Sequence, residues 1–521
     1  MGRYGFILLF LAVLVGPLLA HALRTRETEA AGSEDKLIII TPQGQEIRDE
    51  FRWAFADWHR QKYGRPVQLE FLTPGGTADI RRQLDTIYRA IRQRHGGALP
   101  PEDQVDAGID MVWGGGDYEF NSKLKPLGIL HPLDLSAKLL AEVFPQPALA
   151  GVNLYDRERD KSGRLLPPRW VGVCLSSFGI VYNPDLYRAL NLAPPRTWDD
   201  LADPRLFSSL SLADPTHSTS AGAAYMMVIQ RAMADFESDF FHQPQNAGKR
   251  PTQLKSTPQY QAAIDAGWKE GMRRLVLIAA NARYFSDSSV QPPNDVAGGD
   301  AAAGMAIDFY GRVTEETVGS DRVTFIAPRA ATAITPDPIA ILYGTHGKQL
   351  ELANHFIEFL LGSEGQRLWI LKTGEPGGPR AVALRRPPIR QSVYLNRAGW
   401  ADDINYFDSA GGFNQRGEWM GTFADLPQIW AAAWIDDRDD LRDACKQIFA
   451  VADENRRARL LAELSDIPVT RSDVTREIAE TARIAADPSE DPDVWKARQR
   501  LNWAQRFADH YHRVAEEAAG G

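Results

Sequence analysis

Residues 214–222 read Asp-Pro-Thr-His-Ser-Thr-Ser-Ala-Gly, between the apolar run SLSLA and the helical pattern AAYMMVIQRAM. Thr216, Ser218, Thr219 and Ser220 crowd four hydroxyls onto one strand-to-helix junction. One such residue suffices to cap a helix. Several hydroxyls beside free N–H groups at the positive helix end also suit an anion. Two readings follow: a cap alone, or a cap that doubles as a ligand cradle.

Three earlier loops carry related chemistry. Thr41-Pro-Gln-Gly-Gln45 follows KLIII, Thr73-Pro-Gly-Gly-Thr77 follows VQLEFL, and Gly114-Gly-Gly-Asp117 follows GIDMVW. Small and hydroxylic residues let a backbone approach a ligand closely, and each loop taken singly is also ordinary turn chemistry. Motifs of assembled enzymes are missing: the chain has no G-x-S-x-G elbow, no H-E-x-x-H and no Walker loop. His510 and His512 stand two apart on a helical pattern and point apart. The two cysteines, Cys174 and Cys445, have no metal-ligand spacing and read as separately buried thiols. No metal ligand and no cofactor is assigned.

The elements that must hold these loops are legible as a repeating pattern. Each loop follows a short apolar strand, and two precede amphipathic helices with apolar residues in register: Ile47, Phe51, Phe55 and Trp58, then Ile80, Leu84, Ile87 and Ile91. Strand–turn–helix repeats argue an α/β layer with a mostly parallel sheet, and such sheets bind ligands beyond the carboxyl ends of their strands. A second α/β set runs through WVGVCLSSFGIVYN, a capping box from Thr197 to Asp200, the 214–222 junction and ITPDPIAIL. From about residue 390 the chain turns mostly helical and holds six of its 13 tryptophans.

At 521 residues, with 44% hydrophobic and 24% charged residues, the composition is that of an ordinary globular chain of several domains. A net charge of −9 without a clustered basic face excludes a nucleic-acid footprint. The first residues carry Arg3, an apolar run from Phe6 to Ala20 and the Ala20-His21-Ala22 pattern. That is the layout of a cleaved secretory signal peptide over 1–22, and the apolar run falls short of the roughly 20 residues that span a bilayer. An uncleaved leader would tether the chain to the membrane. A polar, flexible leader follows over 23–35.

The stretches 108–134, 178–222 and 336–369 together resemble extracellular solute-binding proteins of ABC importers, nearest the iron(III)-binding branch of the two-lobed class. The resemblance covers about 350 residues and rests on the order of its loose motifs. It implies an α/β, two-lobed periplasmic-binding-protein-like fold of the class II type. Lobe one would span 36–134 and return over 335–389, lobe two would span 135–334, and 390–521 would form a C-terminal, mostly α-helical extension. The implied ligand cleft gathers Thr41, Gln43, Gly75, Gly76, Thr77, Gly115, Gly116, Asp117, Ser218, Thr219, Ser220, Asp308 and Tyr310. The implied partners are a small-molecule solute and a membrane permease, with the protein exported to the periplasm or outside the cell. The iron binders use a tandem tyrosine pair, and this chain has Asp308-Phe309-Tyr310 at that place. Phenylalanine cannot ligate, so an organic or phosphorylated anion fits better than iron. The alternatives are an exported sensor or scaffold and, less well supported, an exported hydrolase. The extension either docks a partner or stiffens the lobes.

Overall fold

The computed structural model describes residues 35–520 apart from 329–330, 409–412, 421–422, 424 and 486–489. The expected signal peptide and all but the last residue of the 23–35 leader lie outside the described residues. No described helix is long and apolar enough to cross a membrane.

In chain order the strands are β1 (Asp35–Ile40), β2 (Val67–Leu72), β3 (Met111–Trp113), β4 (Ala148–Leu149), β5 (Val152–Asn153), β6 (Val171–Ser176), β7 (Phe178–Tyr182), β8 (Leu210–Ala213), β9 (Ala282–Ser286), β10 (Ala303–Ile307), β11 (Thr324–Ile326) and β12 (Thr335–Ile341). The main helices are α1 (Gln45–Tyr63), α2 (Thr77–Arg94), α3 (Thr219–His242), α4 (Pro258–Ala280), α5 (Asp308–Val318), α6 (Gly347–Leu361), α7 (Arg438–Phe449), α8 (Glu454–Ser465), α9 (Arg471–Ala485) and α10 (Pro492–Ala519).

Two five-stranded sheets result, in the orders β2-β1-β3-β12-β6 and β11-β7-β10-β8-β9. In the first, β1 runs parallel to β2 and β3, and β12 runs antiparallel to β3 and β6. Helices cover both of its faces, which is why β1 reads as the continuous apolar run LIII rather than alternating. Leu37 and Ile39 pack with Phe51 and Phe55 of α1, while Ile40 packs with Ile80 and Leu84 of α2. In the second sheet β8, β9 and β10 are parallel and β7 is antiparallel to β10 and β11.

The chain crosses between the sheets from β6 through Ser177 into β7, and back between β11 and β12. This moves the first boundary. The expectation placed 135–176 in lobe two, but β6 pairs with β12 in the first sheet, and Val143, Phe144, Leu154 and Tyr155 share its core. The run WVGVCLSSFGIVYN is therefore two strands in two sheets, split at one serine. The Thr197–Asp200 capping box is present, with Thr197 N and Oγ1 both donating to Asp200 Oδ2, at 2.7 and 3.1 Å. Cys174 and Cys445 are separate buried thiols.

The segment beyond 390 is not one appendage. Residues around Val393 and Trp400 have little helix and pack on Ile370 and Leu371 beside the first sheet. Trp419, Trp430, Trp434 and Trp503 enter the same core as Tyr225, Trp268 and Met272 of α3 and α4. Trp430 stacks on Trp434 at 6.3 Å, takes the edge of Tyr225 at 5.6 Å, and donates its indole N–H to Met272 Sδ at 3.4 Å. These buried rings favour the stiffening alternative over docking. Trp430→Ala, which removes a 1%-exposed ring, is expected to cost about 3–5 kcal/mol of lobe-two stability. Urea unfolding followed by circular dichroism checks it; a loss under about 1 kcal/mol would mean that this ring is not part of the lobe-two core.

Candidate functional site

The loops at the carboxyl ends of β1, β2, β3 and β8 meet in one cleft of about 420 Å³ between the sheets. Gln43, Gly75, Gly76, Thr77, Gly115, Gly116, Asp117, Ser218, Thr219, Ser220 and Tyr310 all line it.

Each loop is shaped by a local requirement. Gly114, Gly115 and Gly116 all have positive φ, at 91°, 118° and 81°, a region L-residues rarely adopt. A side chain on Gly115 would also strike Thr77, whose Cγ2 lies 2.7 Å from the position of a Cβ. The four hydroxyls at 216–220 divide their work. Thr216 donates to Asp214 Oδ1 at 2.7 Å, and Ser218 caps α3 by accepting from Ala221 N at 3.3 Å. Thr219 hydrogen-bonds Thr77 across the cleft. Ser220 faces the cleft, and among the described residues its hydroxyl has no partner. The N-termini of α2 and α3, one from each lobe, thus meet over the same space. Gly76 makes the meeting possible: a Cβ there would lie 2.5 Å from His217 O.

Two expected contacts do not line the cleft. Thr41 is fully buried, donates to Trp113 O at 2.7 Å and accepts from Gln43 N at 3.1 Å, so it fixes the β1 loop. Asp308, also fully buried, sits at the crossing between sheets. It accepts from Tyr406 Oη at 2.7 Å, Ser177 Oγ at 3.3 Å and its neighbour Phe309 N at 2.9 Å. Burial pushes its pKa up, offset in part by the nearby Arg312. Asp308 anchors the crossing instead of touching solute. Burial likewise raises the Tyr310 phenol's pKa, so it meets a ligand as a neutral hydroxyl.

The cleft floor contains Phe309 and three residues the sequence did not single out: Ser176, Asp337 and Arg386. Arg386, 2% exposed, donates to Asp337 Oδ2 at 2.8 Å, Ser176 Oγ at 2.6 Å and Gln43 Oε1 at 3.3 Å. Its guanidinium lies over the Phe309 ring at 4.2 Å, which gives the phenylalanine in Asp308-Phe309-Tyr310 a physical role. Gly115 N and Gln43 Nε2 also donate to Asp337, at 3.0 and 2.5 Å. Only the Asp-Pro of ITPDPIAIL gave any advance signal of this hub, and that dipeptide is common in turns.

A family model for bacterial extracellular solute-binding proteins matches residues 117–402, more than half of the chain. The chain belongs to this family. The family is one of binding proteins, not of enzymes. Among curated relatives, the phosphoglycerate transport regulatory protein PgtC of Salmonella typhimurium is 23% identical over 274 residues, 50% of this chain and 56% of its own length. An uncharacterized protein of Haemophilus influenzae is 24% identical over 261 residues, 49% of this chain and 60% of its own. The chain therefore spans less than two thirds of the curated relatives it matches. Similar solved structures include the periplasmic binding protein AfuA from Actinobacillus pleuropneumoniae with fructose-6-phosphate bound, at a TM-score of 0.46, 17% identity, and coverage of 69% of this chain and 86% of that one. Iron-bound HitA from Pseudomonas aeruginosa is similar at a TM-score of 0.42 and 16% identity, covering 71% and 90%.

Two predictions come from this geometry. Gly76→Ala is compatible with the local φ of −73° but not with His217 O, so the fold is retained and the lobes are held apart. Small-angle X-ray scattering is expected to show a larger radius of gyration than wild type and an unchanged circular dichroism spectrum. Desolvation raises Asp117 to about 6, so the folded cleft disfavours its ionised form. That cost is absent below the ordinary value of 3.8, grows as pH rises through the window, and is complete above about 6. Asp117→Asn is expected to stabilise the protein by about 1–2 kcal/mol at pH 7, allowing for partial exposure. Thermal melts should show that gain at pH 7 and none near pH 3.

Proposed function

We propose that this protein is the exported binding component of an ABC-type importer, and that it captures a small phosphorylated organic anion between its lobes and hands it to a membrane permease. The observation that carries this reading is the convergence of α2 and α3, N-termini first, from separate lobes onto one cleft lined with hydroxyls. Helix N-termini present N–H groups and partial positive charge to an anion. Arg386 supports the same reading, because its buried Nε–H has no acceptor among the described residues. The half-buried Asp117 and the neutral Tyr310 suit the hydroxyls of an organic body, and Phe309 removes the second phenolate that iron would use. The name of the relative PgtC, a phosphoglycerate transport regulatory protein, agrees with a phosphorylated cargo. Closure is a hinge motion about the two crossings. The N-terminal leader expected from the sequence would deliver the chain across the membrane and either be removed or tether it there.

Isothermal titration with phosphoglycerates, hexose phosphates and their unphosphorylated parents tests the reading. At least one phosphorylated compound is expected to bind while its parent does not. Ser220→Ala should weaken that binding roughly tenfold, the worth of one hydrogen bond to a charged group. Binding of parent and phosphate ester alike would contradict the anion reading.

A further inference from the structure

The wall of the cleft carries more acid than an anion site calls for. Asp337 is answered by Arg386, and Asp79 by Arg82. Asp287 has no such answer: among the described residues its carboxylate makes no hydrogen bond or ion pair, and it lines the cleft. The topology explains where it stands. β8 and β9 are parallel neighbours, and Ala213 pairs with Ser286 at their carboxyl ends. Asp214 and Asp287 therefore leave the sheet side by side, with Asp214 N donating to Ser286 O at 2.8 Å. The turn after Asp214 brings a third group alongside: His217 N and Ser218 N both donate to Asp214 O, at 3.2 and 2.9 Å.

One donor atom from each of Asp214, His217 and Asp287 lies within 4.8 Å of the others. Asp214 is only 8% exposed. Its Oδ1 is held by Thr216 N and Oγ1, both at 2.7 Å, which fixes the carboxylate and leaves Oδ2 without a partner among the described residues. The His217 ring is likewise without one. The nearby cation, Arg500, is committed to both oxygens of Asp436 at 2.7 Å. That leaves a carboxylate oxygen and an imidazole side by side with open acceptor positions, and a metal ion would take both.

We propose that Asp214, His217 and Asp287 form a site for one divalent first-row transition-metal ion on the lobe-two wall of the cleft. One imidazole and two carboxylates are a donor set for such an ion, and three protein ligands leave a position open. Asp287 places that position toward the cleft, where a phosphate oxygen would take it. This last consequence rests on the anion reading above; the metal site itself does not.

The test is titration of the metal-stripped chain with Zn²⁺ alone, followed by calorimetry, for wild type, His217→Ala and Asp287→Asn. Wild type is expected to bind one ion per chain, and each variant to bind it at least tenfold more weakly, with melting temperatures in chelator unchanged. Asp287→Asn is the safer variant for folding, because the residue is exposed. No saturable binding in wild type, or equal binding in both variants, overturns the site. A separate titration with the phosphorylated cargo, in Zn²⁺ and in chelator, keeps the two readings apart. Tighter cargo binding with Zn²⁺ supports the bridging role, and equal binding overturns that role alone. Absence of cargo binding in both conditions counts against the anion reading and not against the metal site.

Discussion

A single buried guanidinium ties the molecule together. Arg386 reaches Ser176 at the end of β6, Asp337 within β12, Gln43 beyond β1 and the face of Phe309 at the start of α5. Ser176 and Gln43 stand at the carboxyl ends of first-sheet strands, Asp337 near the amino end of the antiparallel β12 beside them, and Phe309 belongs to the second lobe. Breaking a buried charge pair by removing one partner is strongly destabilising, because the remaining charge is left unanswered. Such a pair is often no more stable than apolar packing of the same volume, and what it supplies here is fixed geometry. Here that geometry is the floor of the cleft, and the loops above it inherit their positions from it.

The crossing between the sheets depends on the same region. Ser177 separates two strands that belong to different sheets, and its hydroxyl and that of Tyr406 meet at Asp308. Phe178 N donates to Thr332 Oγ1 at 2.9 Å, which joins the two crossing segments to each other. A fixed pivot below and small residues above make a hinge: Gly76 meets His217 O, and Thr77 meets Thr219, only because no side chain intervenes. The part of the chain beyond 413 thickens lobe two by sharing its core, so the lobe can move as a unit.

Much of this was legible in the sequence where the signal is local. The strand-end loops and the helices they precede follow from apolar periodicity and turn chemistry, and the gathering of all four loops in one cleft is what the family resemblance implied. Thr41 and Asp308 were misplaced because a polar residue at a strand end reads the same whether it faces solute or satisfies its neighbour's backbone. Arg386 was missed because its partners lie 49 to 343 positions away along the chain. The boundary near 135 failed for the same reason: only the pairing of β6 with β12, not the composition of 135–176, assigns that stretch to the first sheet. Asp214 and Asp287 are joined by strand register, which a single sequence does not display.

What unifies these features is a cleft over which two helix N-termini, one from each lobe, meet, and the proposed capture of solute requires the lobes to close there. The distance between the lobes is therefore the quantity to measure. Spin labels at Gln93→Cys and Ser320→Cys, both exposed and one on each lobe, report it by pulsed electron–electron resonance, and the native thiols are buried. A phosphorylated solute is expected to narrow the distance distribution and shorten its mean, and the unphosphorylated parent to leave both unchanged. A distribution that does not respond to any phosphorylated solute, or that responds equally to the parents, would contradict the account.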